Sequence, residues 1–205
     1  KAGDVYQINY TQPEEYTLKS DSEYELFLQL FNFAQPDFGA YLNLNDIQII
    51  SLSPENLITK IDSNISSFPI KGTRQTSWNP IEDQILIDEL KNSIKDRAEH
   101  VMIVDLIRND LGKICKYGSV DTIGLFNVVS YKTIHHMVTE IRGKLRADIN
   151  ETDILAALFP GGSITGAPKQ RAIEIIDEIE AFSRGIYTGS IGIISSSGDM
   201  IFNIA

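Results

Sequence analysis

Residues 96–112 read Asp-Arg-Ala-Glu-His-Val-Met-Ile-Val-Asp-Leu-Ile-Arg-Asn-Asp-Leu-Gly, which predicts a helix that stops at the final glycine. Hairpin patterns precede this helix, with turns at Asn45-Asp46 and at Asp62-Ser63-Asn64. Strand-like runs follow it between residues 120 and 145, and residues 186–204 predict a closing hairpin. Hairpins with helices between them indicate an α+β fold, in which antiparallel β-sheets pack as a sandwich flanked by helices. This pattern does not favour a doubly wound parallel sheet.

The composition is that of an ordinary globular domain. Of the 205 residues, 42% are hydrophobic and 22% are charged, which excludes a disordered or fibrous class. The net charge of −10 argues against a nucleic-acid surface, although a small anionic substrate stays compatible with it. The apolar runs are too short for a membrane helix. A single cysteine, Cys115, leaves no internal disulfide and predicts a cytoplasmic protein.

Both ends of the sequence lie in strand-like runs. The chain starts at Lys1 without a methionine, and it stops at Ala205 inside an apolar stretch. Domains normally end in exposed polar segments. We therefore expect residues 1–205 to be part of a larger protein.

A lone lysine stands where a strand meets a glycine, in Pro69-Ile70-Lys71-Gly72-Thr73. A lysine on a packed strand loses solvation, which lowers its pKa and frees a nucleophilic amine. Gly72 permits a close approach of the backbone by a ligand. The alternative is a solvated lysine before a turn, since lysines are mostly exposed.

A glycine-rich loop, Gly161-Gly-Ser-Ile-Thr-Gly-Ala-Pro-Lys169, leads into another predicted helix. Its spacing matches neither a Walker A loop nor the G-x-G-x-x-G fingerprint, which argues against a nucleotide-binding domain. The helix start would leave N–H groups free for an anion, with a carboxylate as plausible as a phosphate. A glycine-rich connection without a ligand is the alternative.

Asp96 and Glu99 are three positions apart, so they share one face of the predicted helix. Carboxylate oxygens on one face suit Mg²⁺, which needs few protein ligands. The alternative is an acidic first turn favoured by the helix dipole.

Three further side chains could carry chemistry. His135 and His136 would point to opposite faces of a strand, so at most one faces a given site. Glu55 follows a strand end and could act as a general acid if burial raises its pKa. A buried structural histidine and an exposed loop glutamate are the corresponding alternatives.

Taken together, these segments resemble the chorismate-utilising enzymes. The resemblance covers nearly the whole chain in order, starting from Gly3-Asp-Val-Tyr-Gln-Ile-Asn9. Its most specific parts are residues 98–112 and the stretch Phe159-Pro-Gly-Gly-Ser-Ile-Thr-Gly-Ala-Pro-Lys169. The resemblance implies an N-terminal region before residue 1 and a Mg²⁺-binding segment after residue 205, so that residues 1–205 alone would be inactive.

The resemblance also implies roles for individual residues. Lys71 would be the nucleophile, Glu55 the general acid or base, and His136 the residue that orients the ring of chorismate. The substrate would be bound by Gly72, Thr73, Thr165, Gly166 and Tyr187. Glu99 would hold Mg²⁺, with Asp96 acting through a water molecule.

Two positions discriminate among members of the family. Relatives that add water typically carry a lysine where Gln7 stands, and an amide cannot act as that base. Anthranilate synthases usually have alanine at the position of Lys71, whereas the lysine resembles the aminodeoxychorismate synthases. The resemblance therefore implies amination of chorismate at C4 by ammonia to give 4-amino-4-deoxychorismate, a step towards 4-aminobenzoate and folate.

Alternatives to this activity remain. Anthranilate synthase component I is the alternative enzyme, and a non-catalytic relative that only binds chorismate is the alternative of another class. Ammonia would come from a glutamine amidotransferase subunit, because Cys115 has no glutaminase sequence context. The expected partners are thus chorismate and that subunit, with no nucleic acid and no membrane.

Overall fold

The computed structural model describes residues 3–19 and 22–205. Within these residues the helices are α1 (Glu23–Ala34), α2 (Pro80–Asn92), α3 (Ile94–Gly112), α4 (Glu151–Leu158), α5 (Gly162–Thr165) and α6 (Lys169–Ile179). The strands are β1 (Gln7–Ile8), β2 (Phe38–Leu44), β3 (Ile47–Ser53), β4 (Asn56–Ile61), β5 (Asn64–Phe68), β6 (Ile70–Gln75), β7 (Asp121–Ser130), β8 (Ile134–Lys144), β9 (Gly166–Ala167), β10 (Gly192–Ile194) and β11 (Met200–Asn203).

The largest sheet has the strand order β10-β11-β4-β5-β8-β6. Strands β5 and β6 pair with successive parts of one edge of β8, and β7 pairs with its other edge. Strands β2 and β3 form a separate hairpin, and β1 pairs with β9. The described pairs are antiparallel, so the α+β prediction with antiparallel sheets is confirmed.

The hydrophobic core lies between α3 and the largest sheet. The helix contributes Ile103, Val104, Ile107 and Leu111, and the strands contribute residues such as Ile58, Ile65 and Ile141. Each large aliphatic side chain that is fully buried stabilises the fold by roughly 1.5–3 kcal/mol.

Ser93 joins α2 to α3. Its backbone ends α2, while its hydroxyl accepts a hydrogen bond from the Asp96 N–H and so caps α3. The helix therefore starts two residues before the predicted Asp96. The cap places Asp96 in the first turn and Glu99 about one turn later.

The sequence spacing also predicts a helix that opens at Asn79-Pro80 and buries one apolar stripe, which consists of Ile81, Ile85, Leu86, Leu90 and Ile94. Most of this stripe is exposed in the structure. Ile81, Ile85 and Ile94 are 74%, 60% and 87% exposed, whereas Leu90 is fully buried. The helical spacing was recognised correctly, but only the Leu90 end of the helix contacts the core. The prediction of a buried stripe was wrong because spacing shows which side chains share a face and not whether another layer covers it.

The predicted strand over residues 186–195 is shorter in the structure. Only Gly192–Ile194 pairs with β11. Before it, backbone hydrogen bonds from Tyr187 to Arg184 and from Gly189 to Ile186 form turns. These turns carry Tyr187 to the edge of a cavity described below.

None of the helices in residues 3–19 and 22–205 has the length and apolar content needed to cross a membrane.

Candidate active site

Lys71 lies on β6 with its side chain partly buried. Its Nζ donates a hydrogen bond of 2.8 Å to the carbonyl oxygen of Ser163 and lies 3.5 Å from Asn9 Oδ1. Burial lowers the pKa of Lys71, while the charges of Glu55 and Glu99 oppose that change. Of the two alternatives that the sequence leaves for Lys71, the structure thus favours the partly desolvated lysine over the solvated one.

Glu55 lies in the short connection between β3 and β4. Its Oε1 accepts a hydrogen bond of 3.3 Å from the N–H of Ile70, the residue before Lys71. Although part of the residue is accessible, desolvation raises the pKa of its carboxyl group. The nearby Ser163 hydroxyl, the Ile70 N–H and the Lys71 charge oppose that rise. A carboxyl group with a raised pKa can hold a proton for a departing group.

The two adjacent histidines face opposite sides of β8, as predicted. His136 Nδ1 lies 3.0 Å from Thr73 Oγ1, and its buried Nε2 has no hydrogen-bond partner among the described residues. Burial lowers the pKa of His136, with the Gly72 backbone acting in the other direction. His135 instead contacts Asp83 at 2.9 Å and Ser130 at 2.8 Å. His136 thus keeps one ring nitrogen without a partner among the described residues, whereas both ring nitrogens of His135 have protein partners.

A cavity of about 530 Å³ lies next to these groups. Glu55, Ile70, His136 and Tyr187 line it together with residues of β3 and the segment Ile204–Ala205. Lys71 is not part of this lining. Glu55 lies between the cavity and Lys71, because it lines the cavity and its charge also acts on the Lys71 amine.

Gly72 has a structural requirement that the sequence did not reveal. Its φ of +83° favours glycine, and a Cβ there would lie 2.9 Å from Leu90 Cδ1 and 3.1 Å from Asp96 Cβ. On that side Gly72 is therefore approached by α2 and α3. This close contact brings β6 against the start of α3.

Thr165 and Gly166 lie in the same glycine-rich loop as Ser163, but their polar groups already have protein partners. The Thr165 hydroxyl donates to the carbonyl of Gly161 at 3.0 Å, and its carbonyl accepts from the Asn9 N–H at 2.9 Å. Gly166 pairs with Ile8 of β1. Carboxylate binding by these two residues remains a prediction.

Asp96 and Glu99 have different surroundings on α3. Asp96 Oδ2 forms a 3.0 Å ion pair with Arg74, whereas Glu99 lies 3.8 Å from the exposed Lys95. In the described part of the chain, no cluster of three or more His, Cys, Asp or Glu residues could hold a metal. Mg²⁺ often has only one or two protein carboxylates, so this pair fits it if Glu99 binds directly.

Sequence reasoning missed two groups that contact Lys71. Asn9 and Ser163 both belong to motifs that the family resemblance included, yet neither was assigned a role. Lys169, at the end of the glycine-rich loop, forms an ion pair with the buried Asp110 of α3. This ion pair gives Asp110 a structural role at the end of the helix.

A protein-family model described as "chorismate binding enzyme" matches residues 1–205, and the chain belongs to this family.

Relatives with curated names agree with this assignment. Aminodeoxychorismate synthase component 1 of Escherichia coli (strain K12) is 46% identical over 199 residues, covering 97% of this chain and 44% of the relative. An anthranilate synthase component 1 of Haloarcula marismortui is 41% identical over 205 residues, covering 98% and 41%. The chain thus spans less than half the length of these relatives.

A solved structure shares the fold. Anthranilate synthase component I from Streptococcus pneumoniae TIGR4 superposes with a TM-score of 0.83 at 32% identity, covering 91% of this chain and 41% of that one. The antiparallel sheet and the helices packed on it are therefore those of a chorismate-binding enzyme.

Proposed function

We propose that the whole protein carrying these residues aminates chorismate at C4 with ammonia and forms 4-amino-4-deoxychorismate. The observation that most supports this proposal is Lys71, a desolvated amine beside a carboxyl group of raised pKa. The curated relatives named aminodeoxychorismate synthase component 1 support the same reaction.

In the proposed reaction, the neutral Lys71 amine bonds to C2 of chorismate. The ring double bonds shift, and the 4-hydroxyl leaves as water after it receives a proton from Glu55. Ammonia then bonds to C4, the double bonds shift back, and the bond between C2 and the lysine nitrogen breaks. One chorismate and one ammonia thus give one aminodeoxychorismate and one water, and the protons return to the two side chains.

The remaining predicted residues would bind and orient the substrate. His136 would donate or accept through its unpartnered Nε2, while Thr73 fixes the other ring nitrogen. Tyr187 would cover the substrate from the opposite side of the cavity. Binding of a carboxylate by Thr165 and Gly166 would require the N-terminal segment to leave part of their backbone accessible.

Mg²⁺ is the proposed cofactor, and it would neutralise a carboxylate of chorismate when bound. Glu99 would be its direct ligand. Asp96 would act through a water molecule, because Arg74 already neutralises this carboxylate.

Ammonia would be delivered by a glutamine amidotransferase subunit. The name "component 1" of these relatives agrees with the existence of a second component. We further propose that the protein acts in the cytoplasm.

The test is a product assay on the whole protein with chorismate, Mg²⁺ and ammonium at mildly alkaline pH, followed by liquid chromatography–mass spectrometry. We expect the unchanged protein to form aminodeoxychorismate. We expect Lys71→Ala to lower the rate by about 10³-fold or more, because this variant lacks the proposed nucleophile. Lys116→Ala, which changes an exposed lysine, serves as the control. An unchanged rate and product for Lys71→Ala would exclude a nucleophilic lysine.

Anthranilate synthase component I is the second candidate, because relatives with that name reach 41% sequence identity and a TM-score of 0.83. Anthranilate as the product of the unchanged protein would select this activity. Chorismate binding without any product would instead indicate a non-catalytic relative.

A further inference from the structure

The Lys71 amine is held by residues far away in the sequence. Ser163 lies 92 positions later, and its carbonyl accepts the shorter hydrogen bond from Nζ. The same carbonyl accepts a hydrogen bond of 3.0 Å from Asn9 Nδ2, and Asn9 Oδ1 lies 3.5 Å from Nζ. Asn9, Ser163 and the amine therefore contact one another in a closed triangle.

We propose that Asn9 is a positioning residue, which orients the lone pair of the Lys71 amine for attack. This inference rests on the proposed function, in which that amine forms a covalent bond to the substrate. Asn9 itself acts through Lys71 and has no assigned contact with chorismate.

The chemistry of a neutral amine supports this role. Such an amine has two N–H donors and one lone pair, so two acceptors occupy both donors. The Ser163 carbonyl and Asn9 Oδ1 are those acceptors, and they leave the lone pair directed away from both. An orientation that is set before the substrate arrives reduces the entropic cost of attack.

An amide suits this position better than a carboxylate would. Asn9 accepts a hydrogen bond without adding a negative charge beside the amine. Glu55 and Glu99 already act to raise the pKa of Lys71. The Lys71 charge in turn helps to lower the pKa of the buried His100. A further carboxylate would keep the amine protonated, and a protonated amine has no lone pair for attack.

Asn9 is itself firmly held. Its carbonyl accepts a 2.7 Å hydrogen bond from Arg184, and its N–H donates to the Thr165 carbonyl at 2.9 Å. Arg184 pairs with Glu180, whose side chain is 2% exposed and which also binds Thr11. The Arg184 guanidinium lowers the pKa of Glu180 to about 2, so the pair is charged at neutral pH. This pair anchors the N-terminal segment on which Asn9 lies.

The test compares two substitutions in the whole protein, Asn9→Leu and Asn9→Asp, over a range of pH. We expect Asn9→Leu to lower kcat by about 10- to 100-fold at every pH, with KM for chorismate changed less than about 3-fold. We expect Asn9→Asp to be slow near pH 7 and to recover part of its kcat at higher pH. The reason is that the added carboxylate raises the pKa of Lys71 by about 1 unit or more and still accepts a hydrogen bond.

Asn150→Leu is the matched control, because the Asn150 side chain accepts its hydrogen bonds from the N–H groups of Thr152 and Asp153 at the start of α4. This variant should lower the melting temperature while kcat and the pH profile stay unchanged. A purely structural role for Asn9 would make both of its variants behave alike, with no recovery at high pH. That result, or a normal kcat for Asn9→Leu, would overturn the proposal.

A second measurement separates this inference from the proposed function. The rate at which acetic anhydride labels Lys71 is followed against pH by peptide mass spectrometry, with the exposed Lys116 as the internal reference. The Asn9→Asp variant should shift the Lys71 curve to higher pH by about 1 unit or more. If the unchanged protein makes no aminodeoxychorismate, the proposed function fails, but the labelling shift still tests the contact. No shift in labelling would overturn the contact itself.

Discussion

Helices α1 and α3 both carry large apolar side chains, but their packing differs greatly. Helix α3 buries His100, Ile103, Val104, Ile107, Asp110 and Leu111 against the largest sheet and its neighbours. Helix α1 has no buried residue, although Tyr24, Phe27 and Phe31 form ring contacts along it and with Tyr41 of β2. The comparison shows that the aromatic side chains of a helix such as α1 can contact one another and a neighbouring strand without becoming buried.

The candidate site lies where these two regions meet. Ile70 and His136 of the central sheet form one side of the cavity, and β3, which packs with α1, forms another. Lys71 and His136, which are proposed to act on the substrate, lie on strands of the largest sheet and not on the α1 side. Such a site combines precise placement of the reacting groups with a wall of lower local stability.

The largest expected effect on stability comes from the side of α3. Ile103 is fully buried, so Ile103→Ala should lower the free energy of unfolding by about 2–5 kcal/mol. Urea unfolding followed by circular dichroism measures this loss. A loss below about 1 kcal/mol would mean that the region of α3 is packed no better than that of α1.

Acid should also weaken the α3 side first. Burial, with a further contribution from the Lys71 charge, lowers the pKa of His100 from 6.5 to about 4. Between these values the unfolded chain binds a proton that the folded chain does not, so stability falls as the pH drops through this window. The full loss is about 3 kcal/mol, and it is absent above pH 6.5.

The measurement is the free energy of unfolding at several pH values for the unchanged protein and for His100→Asn. The difference in slope between the two isolates the histidine from the acidic groups. Equal slopes from pH 6.5 to 4 would contradict a buried, neutral His100.

The smallest expected effect comes from α1. Phe27 is only partly buried, and its ring lies 5.6 Å from Phe31 and 5.8 Å from Tyr41. Phe27→Ala should therefore cost about 1 kcal/mol, which corresponds to lost aromatic pairs and not to a core cavity. Chemical unfolding monitored by tyrosine fluorescence provides the value. A cost equal to that of Ile103→Ala would remove the contrast between the two regions.

The sequence predicted well those features that depend on residues close together in the chain. The turns at Asn45-Asp46 and Asp62-Ser63-Asn64 connect β2 to β3 and β4 to β5, and the opposite directions of His135 and His136 follow from the period of a strand. The local sequence left the environment of Lys71 open, because lysines are mostly exposed and a solvated lysine before a turn was the alternative.

Features that depend on contacts between distant segments were not predictable in this way. The exposure of Ile81 and Ile85 depends on what covers α2, and no pattern within the helix contains that information. The role of Gly72 depends on Leu90 and Asp96, which approach it from other elements. Asn9 was overlooked for the same reason, since Lys71 lies 62 positions away and Ser163 lies 154 positions away.

The pairing of β1 with β9 has a consequence for protein synthesis. Asn9 and Ser163 are separated by 154 positions, and Thr11 and Glu180 by 169. The N-terminal segment leaves the ribosome long before its partners exist, so it must stay unpaired while the central sheet assembles. We expect nascent chains that end before the glycine-rich loop to lack the acceptor that holds the lysine amine. Reactivity at this lysine would then appear only late in translation, when most of the sheet is already complete.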